Sequence, residues 1–214
     1  MTIAAKICGL SSEDAVAAAV AGGAAYLGFV FYPPSPRAVT PARAAALCAA
    51  VPASVRRVGL FVDADDAAIG AAIGAAPLDI LQFHGRESPG RVGEVKARFR
   101  RPVMKAIAIA AAADVAAASR YEEVADLLLF DAKPPRRGDA LPGGNGLAFD
   151  WRLIAGREWR RPWMLSGGLT AALLPEAVRV SGATAVDVSS GVERRPGDKD
   201  PDKIREFLAV ARTL

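Results

Sequence analysis

A thiol at the end of a short apolar strand is the first candidate for chemistry in this sequence. The segment reads Lys6-Ile7-Cys8-Gly9. In a strand over residues 3–8, side chains alternate between faces, so Lys6 and Cys8 share one face. A nearby ammonium favours the thiolate, the reactive form of cysteine. The spacing therefore predicts a reactive thiol, against the alternative that Cys8 is a small buried hydrophobic residue.

Other polar side chains lie near the C-terminal ends of predicted strands. Gln82 and His84 share one strand face, Lys105 follows Val103 on the next strand, and Asp131 and Asp187 interrupt later apolar strands. A carboxylate inside an apolar strand is costly unless it is paired. His84 is the only histidine, which excludes a histidine-based metal cluster, and we predict no metal site.

Two glycine-containing turns follow the last two predicted strands. The first contains Gly167 and Gly168, and the second contains Ser189, Ser190 and Gly191. Glycines let backbone N–H groups approach an anion closely, and a helix start adds its dipole. We expect these turns to bind phosphate, with two ordinary tight turns as the alternative.

Arg37 ends a proline-rich segment, Tyr32-Pro33-Pro34-Ser35-Pro36-Arg37. The prolines stiffen the loop, and a guanidinium held in place is well suited to a carboxylate. The alternative is a surface arginine. Cys48 lies in an alanine-rich helical stretch and is expected to be a packed helix thiol.

The elements that must position these groups alternate between strand and helix. Apolar strand-like runs occur at 3–8, 25–31, 55–62, 78–83, 102–107, 124–130, 163–165 and 184–188. Helix-start signals lie between them, at 11–14, 40–41, 63–66 and 88–89, and a last helix is predicted over 201–211. This alternation predicts a parallel sheet with right-handed crossovers.

About eight such units in 214 residues fit an α/β fold, a (β/α)8 TIM barrel, as a single domain over residues 1–214. The competing architecture, an open doubly wound sheet, usually has a Gly-rich dinucleotide turn after its first strand, which is absent here. In a closed barrel the C-terminal strand ends converge on one mouth. The long segment 132–147 is expected to be an active-site lid, with a surface excursion as the alternative.

Composition narrows the class of protein. The chain is 52% hydrophobic, with a net charge of +4 and a pI near 9.3. We expect no membrane-spanning segment, because no apolar run is long enough, and no signal peptide, because no basic region precedes a long apolar core. The basic residues are scattered, so we also expect no nucleic-acid partner. Two cysteines form no disulfide framework, so we expect a reducing cytoplasm. A small anionic molecule suits the charge as the binding partner.

Segments spread along nearly the whole chain match one known family. They are Lys6-Ile7-Cys8-Gly9, Gly28-Phe29-Val30-Phe31-Tyr32-Pro33 with Ser35 and Arg37, Val58-Gly59-Leu60-Phe61-Val62, Gln82-Phe83-His84-Gly85, Leu128-Leu129-Phe130-Asp131, Gly143-Gly144-Asn145-Gly146, Phe149-Asp150-Trp151, Leu165-Ser166-Gly167-Gly168-Leu169 and Asp187-Val188-Ser189-Ser190-Gly191-Val192-Glu193. The chain resembles the phosphoribosylanthranilate isomerases of tryptophan biosynthesis. Asn145 departs from the more usual serine or threonine, and Phe83 from the usual leucine.

The resemblance implies a (β/α)8 barrel that isomerises N-(5-phosphoribosyl)anthranilate to 1-(2-carboxyphenylamino)-1-deoxyribulose 5-phosphate, an Amadori rearrangement that needs no cofactor. By position, Asp131 matches the family's general acid and Cys8 its general base. Such chemistry starts from a protonated carboxyl with a raised pKa and a thiol with a lowered pKa. Lys6 is the candidate for lowering the pKa of the thiol.

The resemblance also implies how the two ends of the substrate are held. Arg37 matches the position that binds the anthranilate carboxylate, and the turns at 167–168 and 189–191 would hold the phosphate. We expect Asp187, His84, Gln82 and Lys6 to be further contacts to the substrate or to the acid–base pair.

Three other functions remain as alternatives. The histidine-pathway isomerase runs the same chemistry on a larger bisphosphate, but that family has an aspartate at the position of Cys8. Indole-glycerol-phosphate synthase is a longer barrel with a different set of lysine and glutamate residues. A non-catalytic sugar-phosphate binder would need neither Cys8 nor Asp131. The sequence leaves the oligomeric state open.

Overall fold

A closed parallel barrel forms the body of the protein in a computed structural model that describes residues 2–134 and 141–214. Its strands are β1 Ala4–Cys8, β2 Tyr26–Val30, β3 Arg56–Phe61, β4 Ile80–Phe83, β5 Val103–Ile109, β6 Leu127–Ala132, β7 Trp163–Leu165 and β8 Ala185–Val188. Closure comes from β1, in which Lys6 pairs with Tyr26 of β2 and with Asp187 of β8. The predicted barrel is confirmed, and the open sheet is wrong.

Helices follow most strands and cover the outside of the barrel. They are α1 Glu13–Ala21, α2 Pro41–Cys48, α3 Asp66–Ala75, α4 Pro89–Phe99, α5 Ala112–Ala118, α6 Leu174–Ser181 and α7 Pro201–Thr213. In the described part of the connection between β6 and β7, the only helical element is a 3₁₀ turn, Trp151–Leu153. The repeat is therefore less regular than the sequence pattern predicts.

Three of the predicted helix starts are visible as side-chain caps, whereas Ser12, before α1, makes no capping hydrogen bond. The side chains of Thr40, Asp65 and Ser88 each accept a hydrogen bond from a backbone N–H three residues later. Each such cap contributes about 1 kcal/mol to stability. The connections before α3 and α4 are short, at 62–65 and 84–88, whereas the longer segment 31–40 separates β2 from α2.

Two apolar layers hold the barrel together. The larger one lies between the strands and the helices and includes Phe29, Phe61 and Phe130. A smaller cluster fills the barrel interior, made up of Val58, Ile80, Met104, Ala106, Leu129 and Met164. Because this inner cluster plugs the barrel, the polar inward-facing residues that follow on the same strands lie at its C-terminal mouth.

A short antiparallel hairpin follows β8 and is absent from the sequence prediction. After a 3₁₀ turn, Ser190–Val192, it consists of β9 Glu193–Arg195 and β10 Asp198–Lys199. Lys199 pairs with Glu193 across it, and both are buried. The hairpin therefore places two buried charges beside the barrel mouth.

Among the described residues, no helix is both long and apolar enough to cross a membrane.

Candidate active site

A cavity opens at the C-terminal mouth of the barrel, with an empty volume of about 750 Å³ that includes its open entrance. Predicted site residues on its wall are Cys8, Arg37, His84, Asp131, Gly167, Gly168, Asp187, Ser189, Ser190 and Gly191. Residues from distant parts of the sequence thus converge as the barrel geometry predicts. Lys6 and Gln82 lie beneath this wall, where they contact Asp187 and His84.

The Cys8 thiol lies at the end of β1 with only 4% of the residue exposed. Fully buried Lys6 donates from Nζ to Asp187 Oδ1 at 2.8 Å, and Ser166 Oγ donates to Asp187 Oδ2 at 3.2 Å. Gly28 is the neighbour of Cys8 on β2, and a Cβ there would lie 2.9 Å from the sulfur. Gly28 thus leaves the space that the thiol needs, a role that only the strand register reveals.

Burial raises the pKa of the Cys8 thiol, while the Lys6 ammonium favours the thiolate and the Asp187 carboxylate opposes it. The predicted lowering is therefore wrong in net direction, although Lys6 acts in the predicted sense. Burial is the strongest single influence on Lys6 and works against its charge, but the attraction and hydrogen bonding of Asp187 and Cys8 together outweigh burial and raise the pKa of Lys6. Lys6 accordingly stays charged below the thiol.

We expect opposite changes in thiol reactivity when the two charges beneath Cys8 are removed separately. Lys6→Met removes the group that favours thiolate, so the pH midpoint for alkylation of Cys8 by iodoacetamide rises. Asp187→Asn removes an opposing charge and lowers that midpoint. Both variants are measured in a Cys48→Ala background, because Cys48 is a second buried thiol whose pKa burial raises to about 11. Identical midpoints in the folded variants would rule out electrostatic control of Cys8 by this pair.

The Asp131 carboxyl group, at the end of β6, is held from two sides. Its Oδ1 accepts from the N–H of Ala132 at 2.9 Å, and its Oδ2 lies 3.1 Å from Nε2 of His84. Gln82 Nε2 lies 3.1 Å from His84 Nδ1 and, with the amide in this orientation, donates to it. His84 then carries its hydrogen on Nε2 and donates to Asp131. Gln82 is thus placed to fix the tautomer of His84 rather than to touch a ligand.

Lys105 does not join the converging polar groups, contrary to the sequence prediction. It shares the outward face of β5 with Val103, and its Nζ donates to Glu87 Oε2 at 2.9 Å and to the Gly85 carbonyl at 2.8 Å. The pair is buried outside the barrel interior. Its effect on the site is indirect, because it holds the loop that follows His84.

The Arg37 guanidinium is 5% exposed and bound on one edge. Its Nε and Nη2 donate to the two carboxylate oxygens of Glu193 at 2.7 and 2.8 Å, and Nη2 also reaches the Gly144 carbonyl at 3.2 Å. Within the described ranges, Nη1 makes no hydrogen bond. A rigid cation with one free donor group on a cavity wall is well suited to an anionic ligand group.

Both glycine turns border the cavity. Gly167 and Gly168 have φ of +91° and +63°, the left-handed region that favours glycine, and a Cβ at Gly168 would lie 2.8 Å from the backbone of Leu147. In the second turn, Ser189 Oγ donates to the Cys8 carbonyl at 3.2 Å. The backbone of Ser190 begins a 3₁₀ turn, whose first N–H groups lack helical partners.

The segment 132–147 reaches the cavity with its described part. Residues 141–147 line the wall, and a Cβ at Gly143 would lie 2.7 Å from His84 Nε2. Asn145, one of the two departures from the family pattern, donates to the Leu141 carbonyl at 2.8 Å. Phe83, the other, is buried against Phe61. Residues 135–140 lie outside the described part, so the lid stays a prediction.

Sequence reasoning missed two charged residues of the site, Glu193 and Lys199. Glu193 belongs to a matching segment but received no role, and Lys199 drew no attention. The two residues come together because they pair across a hairpin of two very short strands. Strands this short leave no residue pattern from which the sequence could predict the pairing. In the described residues, no group of three or more His, Cys, Asp or Glu side chains could hold a metal ion.

The arrangement can exchange protons with a small bound anion. A thiol and a carboxyl group face one cavity, the usual requirement for paired general base and general acid catalysis. A guanidinium and two glycine turns on the same wall can bind the negative groups of a ligand.

Comparisons with known proteins point to one family. Residues 5–210 match the family model described as N-(5'-phosphoribosyl)anthranilate (PRA) isomerase. The N-(5'-phosphoribosyl)anthranilate isomerase of Rhodospirillum centenum is 58% identical over 214 residues, covering 100% of both chains. The crystal structure of the Thermotoga maritima enzyme matches with a TM-score of 0.88 at 37% identity, covering 99% of this chain and 100% of that one.

A further solved structure is a phosphoribosyl anthranilate isomerase in complex with reduced 1-(o-carboxyphenylamino)-1-deoxyribulose 5-phosphate. It matches with a TM-score of 0.85 at 34% identity and covers 99% of this chain and 100% of that one. With a family model spanning nearly the whole chain and relatives of this identity, the chain belongs to the N-(5'-phosphoribosyl)anthranilate isomerase family.

Proposed function

We propose that this member of the family isomerises N-(5'-phosphoribosyl)anthranilate to 1-(2-carboxyphenylamino)-1-deoxyribulose 5-phosphate, with Cys8 as general base and Asp131 as general acid. The observation that carries the proposal is that both groups face one cavity, between the guanidinium of Arg37 and the two glycine turns. The relative that holds the reduced product supports the same ligand class.

The reaction is an Amadori rearrangement, which needs only proton transfers between the substrate and nearby groups. Asp131 donates a proton to the ring oxygen, the bond between that oxygen and C1 breaks, and a protonated Schiff base forms at C1. The Cys8 thiolate then removes the proton from C2, and the electron pair of the broken C2–H bond neutralises the iminium nitrogen. The resulting enolamine takes a proton at C1 and loses its hydroxyl proton to give the C2 ketone. Oxidation at C2 balances reduction at C1, so no cofactor is required.

The surroundings of each group favour its step. The hydrogen bond from His84 stabilises the carboxylate that Asp131 becomes after giving up its proton. Burial opposes the thiolate of Cys8, but a cationic Schiff base beside it would favour the charged form. The thiolate is then most populated at the step that needs it.

Each end of the substrate has a matching partner in the cavity wall. Arg37 presents Nη1 toward the anthranilate carboxylate, while Glu193 holds the opposite edge of the guanidinium. The turns at 167–168 and 189–191 present backbone N–H groups and hydroxyls to the phosphate. The ribose then lies between the two ends, within reach of the acid and the base.

We expect Arg37→Met to raise KM by roughly tenfold or more, with a smaller change in kcat, because a charged hydrogen bond to bound substrate is lost. Arg37→Lys keeps a positive charge, so its KM should lie between those of Arg37→Met and the wild type. Arg57→Met is the matched control, since Arg57 pairs with Asp79 at the opposite end of the barrel. A folded Arg37→Met protein with an unchanged KM would remove Arg37 from the binding site.

The product identifies the reaction. Substrate labelled with ¹³C at C2 is incubated with the protein and followed by NMR. The proposal predicts that the C2 signal moves from a hydroxyl-bearing carbon to a ketone carbon. Release of free anthranilate without a ketone signal would indicate hydrolysis and would overturn the proposal.

The same proposal covers the setting of the enzyme. It includes a reducing compartment, the cytoplasm, because Cys8 and Cys48 are both free thiols and the base must stay reduced. It treats residues 1–214 as one working domain, because the strands of a single barrel supply the acid, the base and the phosphate turns. Its partner is a small-molecule substrate, with no nucleic acid and no membrane surface.

A further inference from the structure

We propose that Lys199, acting through Glu193, is a positioning residue that couples the carboxylate-binding Arg37 to the phosphate-binding turn at Ser189. The inference rests on the proposed function, since it assigns those two ends of the cavity to the two anionic groups of one substrate. The feature that carries it is a continuous chain of buried hydrogen bonds.

Lys199 is at the centre of this chain. Its side chain is fully buried, and its Nζ donates to Glu193 Oε1 at 2.7 Å, to the Ser189 carbonyl at 2.9 Å and to Ser189 Oγ at 3.1 Å. An ammonium has three donors, and these three acceptors satisfy them. Lys199 is therefore held on one side by the second glycine turn and on the other by Glu193.

Glu193 passes the constraint to Arg37. Its Oε1 accepts from Lys199 and also from Arg37 Nε, both at 2.7 Å, and its Oε2 accepts from Arg37 Nη2 at 2.8 Å. All three side chains are nearly inaccessible to solvent. Removing one side chain from a buried cluster of charges leaves a neighbouring charge without its partner, so the remaining side chains must shift. The orientation of Arg37 thus depends on Lys199, which does not touch it.

Ser189 extends the chain in the other direction. Its Oγ donates to the carbonyl of Cys8, at the end of β1, while its carbonyl accepts from Lys199. One ammonium therefore ties together the turn proposed for the phosphate, the strand end that carries the base and, through Glu193, the guanidinium proposed for the carboxylate.

The hairpin has other attachments, so the charge of Lys199 is not needed simply to close it. Lys203 of α7 donates from Nζ to the Glu193 carbonyl at 2.7 Å, and the N–H of Asp200 donates to the Val192 carbonyl at 2.9 Å. A Lys199→Met chain, which keeps the length of the stem, should fold. Its defect should then lie in the arrangement of the site.

A pH effect on substrate binding supports the test. Burial lowers the pKa of Lys199 to about 8, while Glu193 of β9 opposes the shift, Arg37 of the loop after β2 adds to it and Cys8 of β1 opposes it. The ammonium is present below that pH and is lost as the pH rises through it. We therefore expect KM to rise above about pH 8 in the wild type, and the rise to disappear in Lys199→Arg, whose guanidinium stays charged.

The decisive experiment measures binding without turnover. The probes are reduced 1-(o-carboxyphenylamino)-1-deoxyribulose 5-phosphate, the same compound without its phosphate, and the same compound without its carboxylate, each titrated by calorimetry. In the wild type, losing either group weakens binding. In Lys199→Met we expect the complete probe to bind roughly tenfold more weakly, with smaller losses when either group is removed. Lys199→Arg should restore part of the affinity.

Arg195→Met is the control, because Arg195 belongs to the same hairpin but is largely exposed, and in the described part of the chain it pairs only with Asp198. It should bind all three probes like the wild type. If folded Lys199→Met changes the contribution of only one of the two groups, or of neither, the coupling is wrong. Because binding is read without catalysis, that failure is distinct from a failure of the proposed reaction, in which wild type binds the probes but forms no ketone.

Discussion

Cys8→Ala should lower kcat by about 10²- to 10⁴-fold, the usual contribution of a positioned general base. The thiolate is the group proposed to remove the C2 proton, and alanine offers no acceptor in its place. KM should change little, because Cys8 is not assigned to either anionic end of the substrate. Stopped assays of kcat and KM, with circular dichroism of each protein, measure the effect.

Cys48→Ala is the matched control for that result. Cys48 is also a buried free thiol, but it lies in α2, remote from the cavity wall. It should keep the wild-type kcat. The pH profile adds a second readout: since the base must be deprotonated and burial raises the pKa of Cys8, wild-type kcat should rise toward alkaline pH. Near-normal turnover in Cys8→Ala would exclude the thiol as the base.

Asp131→Asn should cause a loss of similar size, about 10²- to 10⁴-fold in kcat, because an amide cannot donate the proton that opens the ring. The change is nearly isosteric, and the amide oxygen can still accept from the N–H of Ala132, as Oδ1 of Asp131 does. The loss should therefore reflect missing chemistry rather than a collapsed site. Activity measured beside thermal unfolding separates the two.

Asp126→Asn tests whether any carboxylate near this strand would behave the same way. Asp126 directly precedes β6 and accepts from Lys96 and from the Val103 N–H, at the end of the barrel opposite the cavity. We expect a lower unfolding temperature with wild-type kcat. An Asp131→Asn protein that turns over at the wild-type rate would contradict the role of Asp131 as general acid.

The barrel and much of its polar mouth are predictable from the sequence because they follow strand parity. Cys8, Asp131 and Asp187 lie in the inward register of strands with a strong apolar pattern, and His84 continues that register directly after β4. Lys105 shows the limit of counting polar groups at strand ends, because it faces outward, toward Glu87. Strand parity already indicates this outward direction, because Lys105 shares a strand face with Val103.

Features that depend on long-range contacts were beyond the sequence. The pKa of Cys8 depends on how completely the thiol is buried, and that burial outweighs Lys6. Lys199 and Glu193 meet across strands of two and three residues, too short for any periodicity. The partner of Arg37 is likewise 156 positions away in the chain, so local sequence identifies the arginine but not what orients it.

One fluorescence measurement tests the central claim most directly. N-(5'-phosphoribosyl)anthranilate is generated in the cuvette, the purified protein is added, and the anthranilate-type emission is followed beside a Cys8→Ala sample. The proposed function predicts rapid loss of emission with the wild type and almost none with the variant. A wild-type protein that leaves the emission unchanged would contradict the assignment, and the histidine-pathway substrate would then be tested in its place.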